Sequence, residues 1–206
     1  MTAPLIDGAW STTPTLRGTH VTLEPLDVDN ADALREAVHG WDVSALWFTS
    51  VPDTAGIDAY IGQALAMRDA GEALPFLVRD AQGVAVGSTR FYHWDARVPR
   101  LTIGYTWYVP RVQRSGLNTE AKRLLLEHAF STMGCRAVSF ETSWFNHASR
   151  AAIARLGARQ DGVLRNHLRH ADGTLRDTVV FSIIDSEWPT VRHHLDRRLA
   201  QGQAHG

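Results

Sequence analysis

The chain has 206 residues, 44% of them apolar and 21% charged, with a formal net charge of −1. That length suits one domain with a sizeable core, and the near-zero charge provides no global field for nucleic acid or an anionic membrane. One cysteine, Cys135, excludes an intramolecular disulfide and a cysteine-based metal site, and its place at a helix-to-strand junction predicts a small buried thiol.

Residues 1–14, with Pro4, Gly8 and Pro14, read as an N-terminal arm. The alternating run 20–26 predicts a first strand, 30–38 a helix, and 54–70 a second helix stopped by Gly71. Between the helices lies an aromatic turn containing Trp41, Trp47 and Phe48. Three strands are expected next, at 75–79, 85–93 and 101–109, the first two joined by a turn at Asp80 to Gly83. From Ala121 to Met133, apolar residues recur at helical spacing until Gly134. A strand at 137–144, a short helix at 146–156 and strands at 162–169 and 177–184 follow, the last two separated by the turn pair Asp172-Gly173. The segment 187–199 reads as a closing helix. The expected organisation is an arm at 1–14, one domain at 15–185, and a C-terminal helix and tail at 186–206. Strand–helix–strand units mixed with hairpins predict an α/β (α+β) mixed sheet of about seven strands with helices on both faces.

The chain start lacks the cationic and apolar regions of a signal peptide. No apolar run reaches the ~20 residues that span a bilayer. A cytoplasmic location is therefore expected, with no membrane and no nucleic-acid partner.

The most informative stretch is Gln113-Arg114-Ser115-Gly116-Leu117-Asn118-Thr119, between an apolar strand and a strong helix. The first N–H groups of a helix have no partner inside it, and its dipole places roughly half a positive charge there. A glycine-bearing loop at such a terminus can aim amides at a phosphate. The other reading is a turn in which Gly116 takes a positive φ and Ser115 or Asn118 caps the helix. The loop matches neither the dinucleotide fingerprint nor the Walker pattern, and the missing Lys-Ser/Thr argues against an NTPase.

With its flanks, this stretch resembles the GNAT superfamily of N-acetyltransferases, in particular the RimJ/RimL branch of ribosomal-protein N-terminal acetyltransferases. The loop pattern Gln/Arg-x-x-Gly-x-Gly/Ala appears here as Gln113 to Asn118, with Asn118 in place of the last small residue. Asn118-Thr119-Glu120-Ala121, Asn146-His147-Ala148-Ser149-Arg150 and Asp172-Gly173 extend the likeness over about residues 15–188. The resemblance implies a mostly antiparallel, twisted sheet flanked by helices, with a splay between the fourth and fifth strands. It also implies acetyl-CoA as cosubstrate and no metal. Its diphosphate would lie on the amides of the loop from Gln113 through Arg114, Ser115, Gly116, Leu117 and Asn118 to Thr119. Its pantetheine arm would meet backbone groups of Trp107 and Val109, as an added strand does, and Asn146.

The implied reaction moves an acetyl group to a primary amine, either a peptide N-terminus or a small molecule, by direct attack. Ser149 is the expected proton donor to the leaving thiolate, and a backbone N–H near Val109 is expected to stabilise the oxyanion. Many family members carry an acid just before Ile-Gly-Tyr on the fourth strand, where this chain has Thr102. His167 is then the expected base, with Glu141 and His93 as alternatives. His167 and His170, three apart on a strand, face opposite ways and make a poor metal pair. Trp47, Phe48, Trp94 and Trp144 are expected to line the acceptor pocket, and Arg165, Arg169 or Arg176 to grip an acceptor carboxylate. Pairing through an edge strand or the terminal helix would give a homodimer. The alternatives are a non-catalytic acyl-CoA-binding module, favoured by Thr102, and a transferase for longer acyl groups.

Overall fold

The computed structural model describes residues 8–95 and 97–203, with side chains up to residue 201. The expectations for 1–7 and 204–206 lie outside the described residues. In chain order the elements are α1 (Gly8–Ser11), β1 (Leu16–Arg17), β2 (Val21–Pro25), α2 (Ala31–Val38), α3 (Ile57–Asp69), β3 (Ala73–Asp80), β4 (Ala85–Asp95) and β5 (Arg100–Tyr108). Then come α4 (Leu117–Glu127), β6 (Ala137–Ser143), α5 (His147–Ala154), β7 (Arg159–Arg169), β8 (Leu175–Ile184) and α6 (Trp188–Gln203).

The strands form one eight-stranded sheet in the order β1-β2-β3-β4-β5-β6-β8-β7. Seven strands were expected; the eighth is β1, two residues too short to show a period. Its pairing with β2 is closed by the Gly18 amide, which donates to the Val21 carbonyl at 2.8 Å. Every neighbouring pair is antiparallel except β5–β6. That parallel junction is short, with Arg100, Leu101 and Thr102 matched to Ala137, Val138 and Ser139. Beyond those residues the two strands part, and the expected splay opens at this junction.

A bulge explains why β5 leaves its neighbour. Ser88 pairs with Trp107 and Arg90 with Gly104, so Thr89 alone faces both Tyr105 and Thr106, and Tyr105 takes a left-handed φ of 50°. An extra residue bends a strand and tightens its twist. On the β4 side the approach is very close: a Cβ at Gly87 would overlap the Trp107 carbonyl oxygen, so only glycine fits.

Successive residues of a strand point to opposite faces, and β4 shows which helices cover each. The Arg90 guanidinium lies over the Tyr60 ring of α3 at 4.7 Å, whereas Phe91 stacks on His128 at the end of α4. Helix α3 therefore covers one face and α4 the other, with Leu34, Ile61 and Trp107 buried on the first side, Phe76 edge-on to Phe91 on the second, and Leu125, Leu126 and Val138 among the fully enclosed residues of the continuous core. After Glu127 the last turn of α4 widens into a π-helix at residues His128–Thr132, ahead of Gly134 with φ 67°. Cys135 is buried, and burial pushes its thiol up to about 12, which leaves it unreactive at neutral pH. No helix among the described residues is long and apolar enough to cross a membrane.

Candidate functional site around the β5–β6 gap

The loop before α4 begins with a turn at Pro110–Val112 anchored from below. Arg111 Nη1 donates to Asp80 Oδ2 at 2.7 Å, and Asp80 also accepts from the amides of Gln82 and Val84. Burial alone would raise the Asp80 carboxyl, but the Arg111 hydrogen bond and the two amides outweigh it and hold it below its ordinary value. The left-handed residue of the loop is Arg114, φ 63°, while Gly116 is helical at φ −66°. A Cβ at Gly116 would make only ordinary contacts with His20 and Leu199, so the fold does not demand glycine there.

The Ser115 hydroxyl donates to the Val112 carbonyl at 2.7 Å and accepts from the Leu117 amide at 3.3 Å. The Gln113 amide bonds the Pro110 carbonyl. Among the described residues, the amides of Arg114, Ser115, Gly116, Asn118 and Thr119 donate to nothing. Five open donors at the positive end of a three-turn helix are a fitting set for diphosphate oxygens. Glu120, in the same first turn, points inward: its Oε1 accepts from the Thr19 amide at 2.9 Å and its Oε2 from the His20 amide at 2.5 Å.

Along the gap, the Val109 amide donates to the Val86 carbonyl at 2.9 Å. Antiparallel pairs alternate between bonded and non-bonded, so Trp107, opposite Ser88, also faces β4. It is Tyr108, opposite Gly87, that turns its N–H and C=O toward the gap, where its carbonyl accepts from Gln113 Nε2 at 2.9 Å. The Trp107 ring sits in the core, edge-on to Tyr60 at 6.0 Å. Thr102 is buried at the last matched pair of the β5–β6 junction.

Across the gap, Asn146 caps α5, its Oδ1 accepting from the Ser149 amide at 3.0 Å. The half-buried Ser149 hydroxyl has no hydrogen-bond partner among the described residues.

The predicted acceptor residues divide. Trp47 is edge-on to Phe48 at 5.5 Å, tilted against Phe145 at 5.4 Å and edge-on to His170 at 4.8 Å. Those contacts tie the α2–α3 loop, the β6–α5 turn and the β7–β8 hairpin together over the α3 face of the gap. Beside them lies a cavity of about 450 Å³ lined by Trp47, Phe145, Asp172, Thr174 and Leu175. Trp144 points the other way, under the Arg150 guanidinium at 4.2 Å. Trp94 lies apart, packed on Trp10 of α1 at 6.3 Å.

The histidines divide similarly. His167 is exposed on β7 and His93 is exposed beside Tyr92, whereas His170 is buried under Trp47. Glu141 is half-buried on β6 near Tyr92, whose hydroxyl is pushed up first by burial and then by the Glu141 charge. Arg165 pairs with Asp177, Arg169 bonds the Gly173 carbonyl, and the Arg176 Nε is buried without a partner. No group of three metal-ligating side chains occurs among the described residues.

Sequence reasoning missed three groups here. Ser143 and His170 form one pair, carrying no motif. Lys122, on α4, has its Nζ 2.7 Å from Thr106 Oγ1 and 3.4 Å from Thr89 Oγ1, and burial lowers it to about 7. Its position between buried Ala121 and half-buried Arg123 in an amphipathic helix was the only available signal.

Residues 20–159 match the family model described as an acetyltransferase (GNAT) domain. The crystal structure of a GCN5-related N-acetyltransferase from Brucella melitensis superposes with a TM-score of 0.82 at 29% identity, covering 91% of this chain and 86% of that one. Mycobacterium smegmatis RimJ, solved in complex with CoA-disulfide, shares the fold with a TM-score of 0.72 at 22% identity, over 92% of this chain and 96% of that one. Bacillus subtilis YoaA, named an uncharacterized N-acetyltransferase, is 28% identical over 99 residues, 48% of this chain. The chain spans little more than half the length of the curated relatives it matches, 55% and 57%. The family match covers the loop, the gap and both flanking strands, and the chain belongs to the GNAT acetyltransferase domain family.

Proposed function

We propose that the protein is an acetyl-CoA-dependent N-acetyltransferase acting on a primary amine, either a peptide N-terminus or a small molecule. The observation that carries this is the set of five open amides, at Arg114, Ser115, Gly116, Asn118 and Thr119, at the mouth of a gap between two parallel strands. The loop takes the diphosphate, with Gln113 and Leu117 shaping it and Arg114 adding a side-chain cation. Tyr108 offers the strand-like edge to the pantetheine amides that Trp107 and Val109 were expected to offer, because Val109 spends its N–H on Val86. Asn146 keeps an amide nitrogen free to meet the same arm while its oxygen caps α5.

The amine attacks the thioester carbonyl directly, and Ser149 donates a proton to the departing thiolate. The hydroxyl is close to the start of α5, where the helix dipole favours a developing anion. Holding amine and thioester in line supplies most of the remaining acceleration. Trp47 and Phe48 form the apolar wall for the acceptor, and Trp144 flanks the opposite side. Trp94, on β4 and packed against Trp10 of α1, would serve only an acceptor long enough to reach it. The domain boundaries near residues 15 and 185, a cytoplasmic location and a homodimer belong to the same proposal.

Titration calorimetry with acetyl-CoA and with acetyl-pantetheine, which lacks the diphosphate, tests the loop; at least about tenfold tighter binding of acetyl-CoA is expected, from several charge-assisted contacts. Thiol release with a panel of amines and peptides tests turnover. Thr102, buried where many relatives carry an acid, favours a second reading as a non-catalytic acyl-CoA-binding module. Tight binding without turnover on any amine would establish that reading instead.

A further inference from the structure

The acceptor amine arrives as an ammonium and must lose a proton before it attacks. We propose that Ser143, His170, Thr174 and Asp172 form a hydrogen-bonded relay that removes this proton, with His170 receiving it through the Ser143 hydroxyl; this rests on the acetyl-transfer reading above.

The hydrogen-bond pattern fixes the direction of the relay. Asp172 Oδ1 accepts from both the amide and the hydroxyl of Thr174, at 2.9 and 2.7 Å. An ionised carboxylate can only accept, so the Thr174 hydroxyl has given its one hydrogen away. Toward His170 Nδ1, 3.1 Å distant, Thr174 Oγ1 is therefore an acceptor, and Nδ1 carries the proton. Nε2 is left with its lone pair, aimed at Ser143 Oγ at 3.0 Å, and Ser143 must donate to it. The Ser143 oxygen accepts from the Phe145 amide at 3.3 Å and keeps one lone pair for a further donor.

The placement suits the task. Ser143 ends β6, on the same face as Glu141 and Ser139, the face covered by the α2–α3 loop. Ser143 is 2% and His170 7% exposed, while Asp172 and Thr174 line the cavity beside Trp47. A dry hydroxyl–imidazole pair thus joins the inner end of β6 to an open rim. In the step, an N–H bond of the ammonium breaks and an O–H bond forms at Ser143. The original Ser143 proton passes to Nε2, giving neutral amine and imidazolium. The Thr174 hydroxyl and the Asp172 charge stabilise that cation, and it returns its proton to water at the rim.

The elements next to His170 carry several charged groups, of which Asp172 acts on it directly. Asp172 and Arg169 lie in its own hairpin. Glu141 is on β6, Arg176 on β8 and Arg150 on α5, where it bonds the Trp144 carbonyl. The α2–α3 loop offers Asp42, which is spent on the Ser44 amide.

The test is the pH dependence of kcat at saturating acetyl-CoA, with acetyl-CoA affinity measured alongside. The native protein is expected to show an acid limb. His170→Gln should abolish the limb and lower kcat about 100-fold, with acetyl-CoA affinity unchanged. Thr174→Val, at an exposed position that cannot compromise the core, should move the limb to lower pH, because the imidazolium loses its link to Asp172. Thr174→Ser should restore it. A His170→Gln variant that keeps the limb, a Thr174→Val variant with an unmoved limb, or an affinity loss parallel to the rate loss would each overturn the relay. A native protein that turns over no amine would instead overturn the acetyl-transfer reading.

Discussion

Replacing Lys122 by Met should stabilise the protein at neutral pH. Lys122 is 5% exposed, and among the described residues its Nζ meets two threonine hydroxyls but no carboxylate. Burial takes its ammonium from 10.5 to about 7. Above 10.5 the amine is neutral in both folded and unfolded chains and costs nothing. Between 10.5 and about 7 the unfolded chain holds a proton that the folded chain does not, so the penalty grows as pH falls and then levels off. At ~1.4 kcal/mol per tenfold step the full penalty is about 5 kcal/mol, or about 4 kcal/mol where the folded group is half titrated. The lost hydrogen bond to Thr106 offsets about 1 kcal/mol. Thr106 and Thr89 keep each other as partners at 2.7 Å, so neither hydroxyl is orphaned, and Met fills the volume of the lysine stem. The expected gain is ~3 kcal/mol near pH 7, shrinking toward zero near pH 10. Urea denaturation of both proteins at the two pH values reads this directly, provided the m values agree. A variant no more stable at neutral pH, or one whose gain is the same at both pH values, would refute the reasoning.

Three further outcomes are expected. Gly87→Ala pushes a methyl into the Trp107 carbonyl, so stability should fall by about 2 kcal/mol or more, and acetyl-CoA affinity should fall with it because the displaced backbone includes Tyr108; unchanged melting and titration curves would contradict this. Asp80→Asn removes the anchor of Arg111 and should cost roughly 1–3 kcal/mol and weaken acetyl-CoA several-fold by calorimetry. The same carboxylate, held below its ordinary value, contributes stability above about pH 4 that is lost as pH falls through its folded-state value, so the difference between native and Asp80→Asn chains should narrow in acid denaturation. Ser149→Ala should lower kcat about 10- to 100-fold with acetyl-CoA affinity intact, and full turnover would remove it as proton donor.

Much of this architecture was legible because apolar spacing survives in the long elements: α3, α4, and strands β3 to β6 fall within a few residues of their predicted bounds. What escaped depends on breaks in that spacing. The resemblance implied gap-facing backbone at Trp107 and Val109; the bulge at Tyr105 and Thr106 inserts one residue into β5 and turns Tyr108 to the gap instead. A second irregularity, between Leu164 and Leu168 with Asn166 at φ 51°, resets the faces of β7. No alternation rule could then say which of His167 and His170 turns inward. The cluster of Trp47, Phe145 and His170 joins three segments far apart in sequence, and no local pattern encodes such a meeting. Asn146, expected as a contact of the pantetheine arm, also caps α5 from its place before a helical run.

The inward carboxylate of Glu120 makes the β1–β2 hairpin a tenant of the helix proposed to receive the coenzyme. Its two oxygens are occupied by the Thr19 and His20 amides, and Gly18 lies so near that a Cβ there would strike the carboxyl group. Whatever pries the hairpin loose, whether a bulky fusion upstream or a side chain at Gly18, releases an unneutralised anion beside the entry of an anionic guest. Changes made for convenience at the start of the chain would therefore be felt as weaker nucleotide retention, about 100 residues away in sequence.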